Sequence, residues 1–162
     1  MPKAYCLGLK AKEMLQKGNK APDFEGIDQN GNTIKSSDYK GKKYVVFFYP
    51  KASTPGCTTE ACDLRDNEEA LKARGYEIIG ISADSVKRQK NFATKYDLNF
   101  PLIADTDKKI IEAFGVWGRK KFMGREFDGI LRTTFIINEK GILENVIEKV
   151  KTKEHAKQIL KL

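Results

Sequence analysis

Long hydrophobic runs are missing from this 162-residue chain. The longest, Tyr44 to Tyr49, falls far short of the roughly 20 apolar residues that a bilayer crossing requires, so no membrane-spanning helix is expected. The stretch Met1 to Lys20 carries Lys3, Lys10, Lys12, Lys17 and Lys20 but no apolar core of about 7 residues ahead of a small-residue cleavage site. It does not read as a secretion signal, and a cytoplasmic location is expected. Cysteine is also scarce: three residues, an odd number, do not make a disulfide framework. In a reducing compartment such cysteines matter as metal ligands or as redox actors. Histidine is scarcer still. His155 alone is present, and its place near the end of the chain reads as a surface position, which argues against a Cys-His pair. A metal site built from Cys57, Cys62 and His155 is disfavoured too, because five residues along one helix is not a zinc-ligand spacing. Internal repeats, linkers and low-complexity stretches are absent.

What is present is charge, and it is unbalanced: 30 Lys and Arg against 22 Asp and Glu give a net +8. A nucleic-acid-binding module would rest on that charge alone, since no motif interleaves aromatic and basic residues. The basic residues are spread along the chain among acids, and only Arg119-Lys120-Lys121 forms a short cluster. A solvated basic surface is the simpler reading, with no nucleic-acid partner. The length and a 40% hydrophobic content suit one globular domain. Met14 is a second plausible start, so residues 1–13, with Cys6 exposed and uninvolved, are expected to be a disordered appendage to a domain over 14–162.

From Asp23 the pattern changes to short extended pieces, Phe24–Ile27 and Thr33–Lys35, around Asn30-Gly31, a hairpin signal. Tyr44 to Tyr49 reads as a strand buried on both faces and ending at Pro50. A helix is predicted from about Thr54 to Arg74 with Gly75 as its stop, then a second buried strand from Tyr76 to Ser82. Further helices are predicted over Ser85–Tyr96, Asp107–Phe114 and Thr152–Leu160, and a hairpin over Thr133–Asn138 and Ile142–Ile147. Helices between strands and a closing hairpin imply an α/β chain, a central mixed sheet flanked by helices, in a thioredoxin-like order.

Cys57 falls at a chemically distinctive point in this order. The strand ends at Pro50, a loop of small residues follows, and Thr54 and Pro55 suit the N-cap and first helical positions. Cys57 then lies in the first turn, where free backbone N–H groups and the positive end of the helix dipole both favour a thiolate. The carboxyl edge of the strands, where ligands of open α/β sheets gather, is the same edge. The plainer reading, a cysteine serving as a small buried hydrophobe, competes with this one.

The segment Phe48-Tyr-Pro50-Lys-Ala-Ser-Thr54-Pro-Gly56-Cys57-Thr-Thr-Glu60-Ala-Cys62 resembles the active site of the peroxiredoxins, in particular the bacterioferritin comigratory protein or Q-type branch of the alkyl hydroperoxide reductase/thiol-specific antioxidant family. Lys20-Ala-Pro-Asp-Phe24, Leu64-Arg-Asp-Asn67, Phe114-Gly-Val-Trp-Gly118 and Asp128-Gly-Ile130 resemble the same branch, so the likeness runs from about Leu15 to Leu160. The resemblance implies a peroxidase without a bound cofactor. Its substrates would be hydrogen peroxide and organic hydroperoxides, reduced at Cys57 with a sulfenic acid as intermediate. It implies that the Thr54 hydroxyl, the backbone N–H groups at Gly56 and Cys57, and Arg132 grip the peroxide oxygens, while Pro50 shields the sulfur. Glu60 fits the motif, although an exposed helix carboxylate explains it nearly as well. Cys62 would resolve the sulfenic acid to a disulfide that a thioredoxin-like dithiol reduces, in a monomer or weak dimer. On an intact helix, Cα atoms five residues apart are about 8.6 Å distant, beyond the roughly 7 Å a disulfide tolerates, so that role demands local unwinding. A thioredoxin-like disulfide reductase is the neighbouring alternative, but it would want a cysteine where Thr54 stands.

Overall fold

The computed structural model describes residues 15–162; the expected appendage over 1–13, with Cys6, lies outside them. The centre is a five-stranded sheet built from β3 (Lys43–Phe48), β4 (Tyr76–Ser82), β5 (Leu102–Ala104), β8 (Thr133–Ile137) and β9 (Leu143–Ile147), in the spatial order β5-β4-β3-β8-β9. The three strands β3, β4 and β5 run parallel, and β8 and β9 are antiparallel additions. The mixed sheet and flanking helices are those expected. Two small antiparallel ribbons lie outside the sheet: β1 (Glu25–Ile27) with β2 (Thr33–Lys35), and β6 (Trp117–Phe122) with β7 (Arg125–Ile130).

The two-residue period of β3 divides the core. Val45, Phe47 and Tyr49 point to one side and Tyr44, Val46 and Phe48 to the other, all buried. On the first side pack α1 (Pro55–Asp66) through Cys57, Ala61 and Leu64, and α2 (Glu68–Ala73) through Leu71. The same side takes α3 (Val86–Tyr96) through Phe92 and Ala93, and α5 (His155–Leu160) through Ala156 and Ile159. On the second side, α4 (Lys109–Ala113) and the residues after it contribute Ile110, Ile111 and Phe114, against Phe24 and Phe135.

Some expectations need correction. The helix predicted from Thr54 to Arg74 is two helices. The chain leaves helical geometry at Asn67, whose ψ is 14°, and the Asn67 side-chain amide donates to the carbonyl of Asp63 at 2.8 Å. The same carbonyl accepts the Asn67 backbone N–H at 3.2 Å, so Asn67 closes α1 through both its main chain and its side chain. The terminal helix begins three residues later than predicted, at His155. The β6–β7 ribbon gave no hairpin signal, because its turn is Met123-Gly124 with φ of 52° and 78°. Two-residue hairpin turns need positive φ at both positions, and Met is an uncommon occupant of the first.

Register places the site. Antiparallel pairing sets Thr133 opposite Phe48, so the residue before β8, Arg132, sits at the carboxyl end of β3, where the chain turns toward α1. The connecting loop is held by Asp84, which accepts the Ala52 N–H at 2.7 Å and the Ser82 hydroxyl at 2.7 Å. Ser53 adopts a left-handed φ of 67°, a conformation that costs a non-glycine residue energy and persists where neighbours hold it.

Candidate active site

Within α1 the residues Cys57, Glu60, Ala61 and Leu64 share one buried face, the spacing of three, four and seven that a period of about 3.6 produces. The sulfur therefore faces inward, and Cys57 is only 1% exposed. Pro55 occupies the first turn, and the first helical bond runs from the Thr58 N–H to the Thr54 carbonyl at 2.8 Å. The N–H groups of Gly56 and Cys57 come before that bond in the chain and have no helical acceptor, which leaves them for an oxygen placed beside the sulfur.

Arg132 closes the site from the other side. Its Nη2 donates to Cys57 Sγ at 3.4 Å and its Nη1 to Glu60 Oε1 at 2.6 Å, while its side chain remains 23% exposed. The guanidinium also lies across Gly56: a methyl group built there would stand 3.1 Å from Nη2, tighter than most contacts of that kind. Gly56 thus lets the cation approach the first turn. Contacts with Cys57 and Glu60 hold the Arg132 proton more firmly, outweighing the opposing effect of burial. A cysteine serving as core packing alone has no use for a guanidinium aimed at its sulfur.

Four placements differ from expectation. Thr54 is the N-cap residue, but its hydroxyl makes no cap bond and donates instead to the Lys51 carbonyl at 2.7 Å. With its proton committed, the oxygen has only lone pairs to offer, as an acceptor rather than a donor. Glu60 is not an exposed helix carboxylate. It is fully buried, and loss of solvent pushes its carboxyl up to about 7 even though Arg132 pulls the other way. His155 is not a surface residue: it is fully buried at the start of α5, its Nε2 2.7 Å from Thr134 Oγ1 and 3.6 Å from Glu60 Oε2. Lys120, in the basic cluster of β6, is half-buried beside Arg132 and donates to the Ile130 carbonyl at 2.8 Å; burial, then Arg132, lower its proton affinity, and the sulfur opposes them.

Sequence reasoning had a signal for two of these. Glu60 lies three residues after Cys57 and four before Leu64, on the apolar face, and His155 lies four before Ile159 on the face that carries Ala156. Pro50 stands half-buried two residues past the end of β3. Cys62 is half-buried, and both described cysteines are free thiols. An unbroken helix joins Cys57 to Cys62, so ideal geometry keeps their Cα atoms about 8.6 Å apart.

The AhpC/TSA family model matches residues 17–146. A putative peroxiredoxin bcp of Haemophilus influenzae is 48% identical over 146 residues, 90% of this chain and 94% of that protein. Among solved structures, peroxiredoxin Q of Xanthomonas campestris is 36% identical with a TM-score of 0.80, covering 85% of this chain and 87% of that one. A Xanthomonas campestris bacterioferritin comigratory protein, solved as trapped intermediate and ligand complexes in work on its alkyl peroxide reduction activity, is 35% identical with a TM-score of 0.79 and covers 85% and 88%. With a thiol under an arginine at a helix start and these relatives along most of its length, the chain belongs to the AhpC/TSA family and is a peroxiredoxin, a thiol-dependent peroxidase of the bacterioferritin comigratory protein branch.

Proposed function

We propose that Cys57 is the peroxidatic cysteine and Cys62 the resolving one, in a peroxidase for hydrogen peroxide and organic hydroperoxides. The thiolate attacks the nearer peroxide oxygen and the O–O bond breaks. The displaced oxygen leaves as water or alcohol after taking up a proton, and Cys57 becomes a sulfenic acid. Negative charge spreads over both oxygens as the bond lengthens. Arg132 and the N–H groups of Gly56 and Cys57 meet it as fixed donors, while Thr54 accepts the O–H of the incoming peroxide and Pro50 walls the sulfur from water. Cys62 then attacks the sulfenic sulfur, water leaves, and a disulfide forms once the first turns of α1 unwind. A thioredoxin-type dithiol restores both thiols by exchange. We read the enzyme as acting in the cytoplasm, where such dithiols are kept reduced, as a monomer or weak dimer without nucleic acid.

One observation carries this reading: the Arg132 guanidinium bridges Cys57 and Glu60, at 3.4 and 2.6 Å, at the opening turn of α1. Intact-mass analysis after stoichiometric peroxide tests it, with Cys6 replaced by Ser to remove the third thiol. The parent loses two hydrogens, Cys62→Ser gains one oxygen, and Cys57→Ser is unchanged. Peroxide consumption by Cys57→Ser at the parent rate, or a Cys62→Ser protein that turns over with thioredoxin as fast as the parent, overturns the assignment.

A further inference from the structure

Behind Arg132, away from the sulfur, lies a buried polar cluster that the peroxide reaction as described does not use. Glu60 is fully buried, and only its Oε1 has a hydrogen-bond partner; Oε2 has none. The atom facing Oε2, at 3.6 Å, is Nε2 of the equally buried His155. The protonation of that ring follows from its surroundings. The Lys151 N–H donates to Gln158 Oε1 at 2.9 Å and the Gln158 amide nitrogen donates to the Lys149 carbonyl at 3.0 Å, which fixes the orientation of this amide. His155 Nδ1 lies 2.8 Å from Gln158 Oε1, an acceptor, so Nδ1 carries the hydrogen. In the neutral ring Nε2 then bears a lone pair, which accepts from the Thr134 hydroxyl. A Glu60 carboxylate would therefore set lone pair against lone pair across 3.6 Å. One proton, on Oε2 or on Nε2, turns the contact attractive.

Charge asks for the same proton. A Cys57 thiolate, the Arg132 cation and a Glu60 carboxylate sum to one net negative charge in a site largely closed to water, and an unbalanced buried charge is costly. Further ionisable groups of both signs face the cluster. Asp63, on α1, is a further carboxylate, bonded to the Ala156 N–H at 2.8 Å. Glu154, before α5, adds negative charge near it. Lys120, on β6, is a further cation; it is partly open to solvent, is bonded to the Ile130 carbonyl, and holds its proton less firmly for being buried beside Arg132, so it offsets the negative charge only in part.

We propose that His155 is a positioning residue of the peroxide site: through its unprotonated Nε2 it determines whether buried Glu60 holds a proton, and so how far Arg132 is drawn from the sulfur. With Glu60 protonated, its Oε1 is a neutral acceptor and the guanidinium is shared with the thiolate and the incoming peroxide. With Glu60 ionised, the carboxylate competes for Arg132 as a full counter-ion, and the peroxide oxygens lose part of their grip. This deepens the assignment of Cys57 and Arg132 and rests on it.

His155 is the single histidine in the chain, so its ring signals are unambiguous by NMR. Spectra of the reduced protein are expected to show the Nδ1–H tautomer when neutral, and a titration whose midpoint shifts by at least about one pH unit in Glu60→Gln, a tenfold change in proton affinity. The Nε2–H tautomer, or superimposable titrations in the two proteins, overturns the proposal whatever the role of Cys57. The kinetic counterpart is the rate of Cys57 oxidation by hydrogen peroxide in a Cys62→Ser background. It is expected to fall severalfold from neutral to alkaline pH, and Glu60→Gln, which mimics the protonated carboxyl, removes that decline. His155→Asn keeps a polar group toward Gln158 but lacks Nε2, and is expected to move the decline along the pH axis, whereas a purely structural role would lower the rate equally at every pH. Should these variants fail to fold, the tautomer in the unaltered protein still decides.

Discussion

Glu60→Gln is expected to make stability less dependent on pH. The folded chain holds the Glu60 proton until about pH 7, whereas an ordinary carboxyl releases it near 4.5. Between those values the native state binds more protons than the unfolded state, so the free energy of unfolding falls as pH rises through the window and levels off above it. The cause is desolvation, only partly offset by Arg132. At about 1.36 kcal/mol per pH unit, the gap between 4.5 and 7 amounts to about 3 kcal/mol. Glutamine retains an acceptor for Arg132 and never ionises, so it lacks this penalty. Urea unfolding under reducing conditions, in both proteins, measures the difference directly. From about pH 5 to about pH 8, the stability of the parent should drop relative to Glu60→Gln by about 2 to 3 kcal/mol. Near-parallel curves would show that the carboxylate is stabilised as an ion by its neighbours, and would refute the account of a proton-holding Glu60.

Two further variants separate the site from its support. Arg132→Ala removes the cation beside a fully buried carboxyl, so peroxide consumption should be lost together with about 3 to 5 kcal/mol of stability at alkaline pH, and less in acid, where Glu60 is neutral. Adding Glu60→Gln to it should recover the stability but not the activity, as urea unfolding and a peroxide assay would show. Asp63→Ala deletes the acceptor of the Ala156 N–H, a cap at the start of α5 supplied from α1. Hydrogen exchange in residues 155–160 should accelerate, with a stability loss of about 1 kcal/mol, the typical cost of a lost N-cap.

The parts of this molecule that were legible from sequence are those where one local rule decides. β3 and β4 read as strands because aromatic and β-branched apolar residues dominate both, and the start of α1 read correctly because Thr54-Pro55 is a chain-entry signal in itself. Cys57 could be placed at the helix start for the same reason. Arg132 was harder, since only the antiparallel register of β8 on β3, a contact across 84 residues between Phe48 and Thr133 at its nearest point, brings it beside the sulfur. The resemblance to a family supplied what local rules did not. Illegible features follow from tertiary context: a turn that puts Met123 at positive φ, a three-residue β5 that is a strand only because β4 pairs with it, and a Thr54 hydroxyl drawn to Lys51 instead of its own helix. The misreading of Glu60 and His155 has one origin. Residue type suggests an exposed Glu60 and place in the chain an exposed His155, yet each occupies a position on the buried face of its helix, and that position prevails because each finds a partner inside.

That outcome bears on how α1 can serve two opposed demands. Reaction with peroxide requires its first turns wound, because the free N–H groups and the inward sulfur exist only in the helix. Resolution by Cys62, as proposed, requires those turns undone, since five residues of helix hold the two Cα atoms too far apart for a disulfide. The contacts along α1 divide at the corresponding point. Cys57 and Glu60, ahead of Cys62, are tied to Arg132 and His155 by polar contacts whose strength changes with charge. Asp63 and Leu64, after it, are fixed by the bond to Ala156 and by complete burial in the core. Oxidation of the thiolate to a neutral sulfenic acid removes the charge that draws Arg132 to the sulfur, and so loosens the half of the helix that must unwind. The half that carries α5 and the core has no charged sulfur to lose, and it would keep the remainder of the fold in place while the proposed disulfide forms.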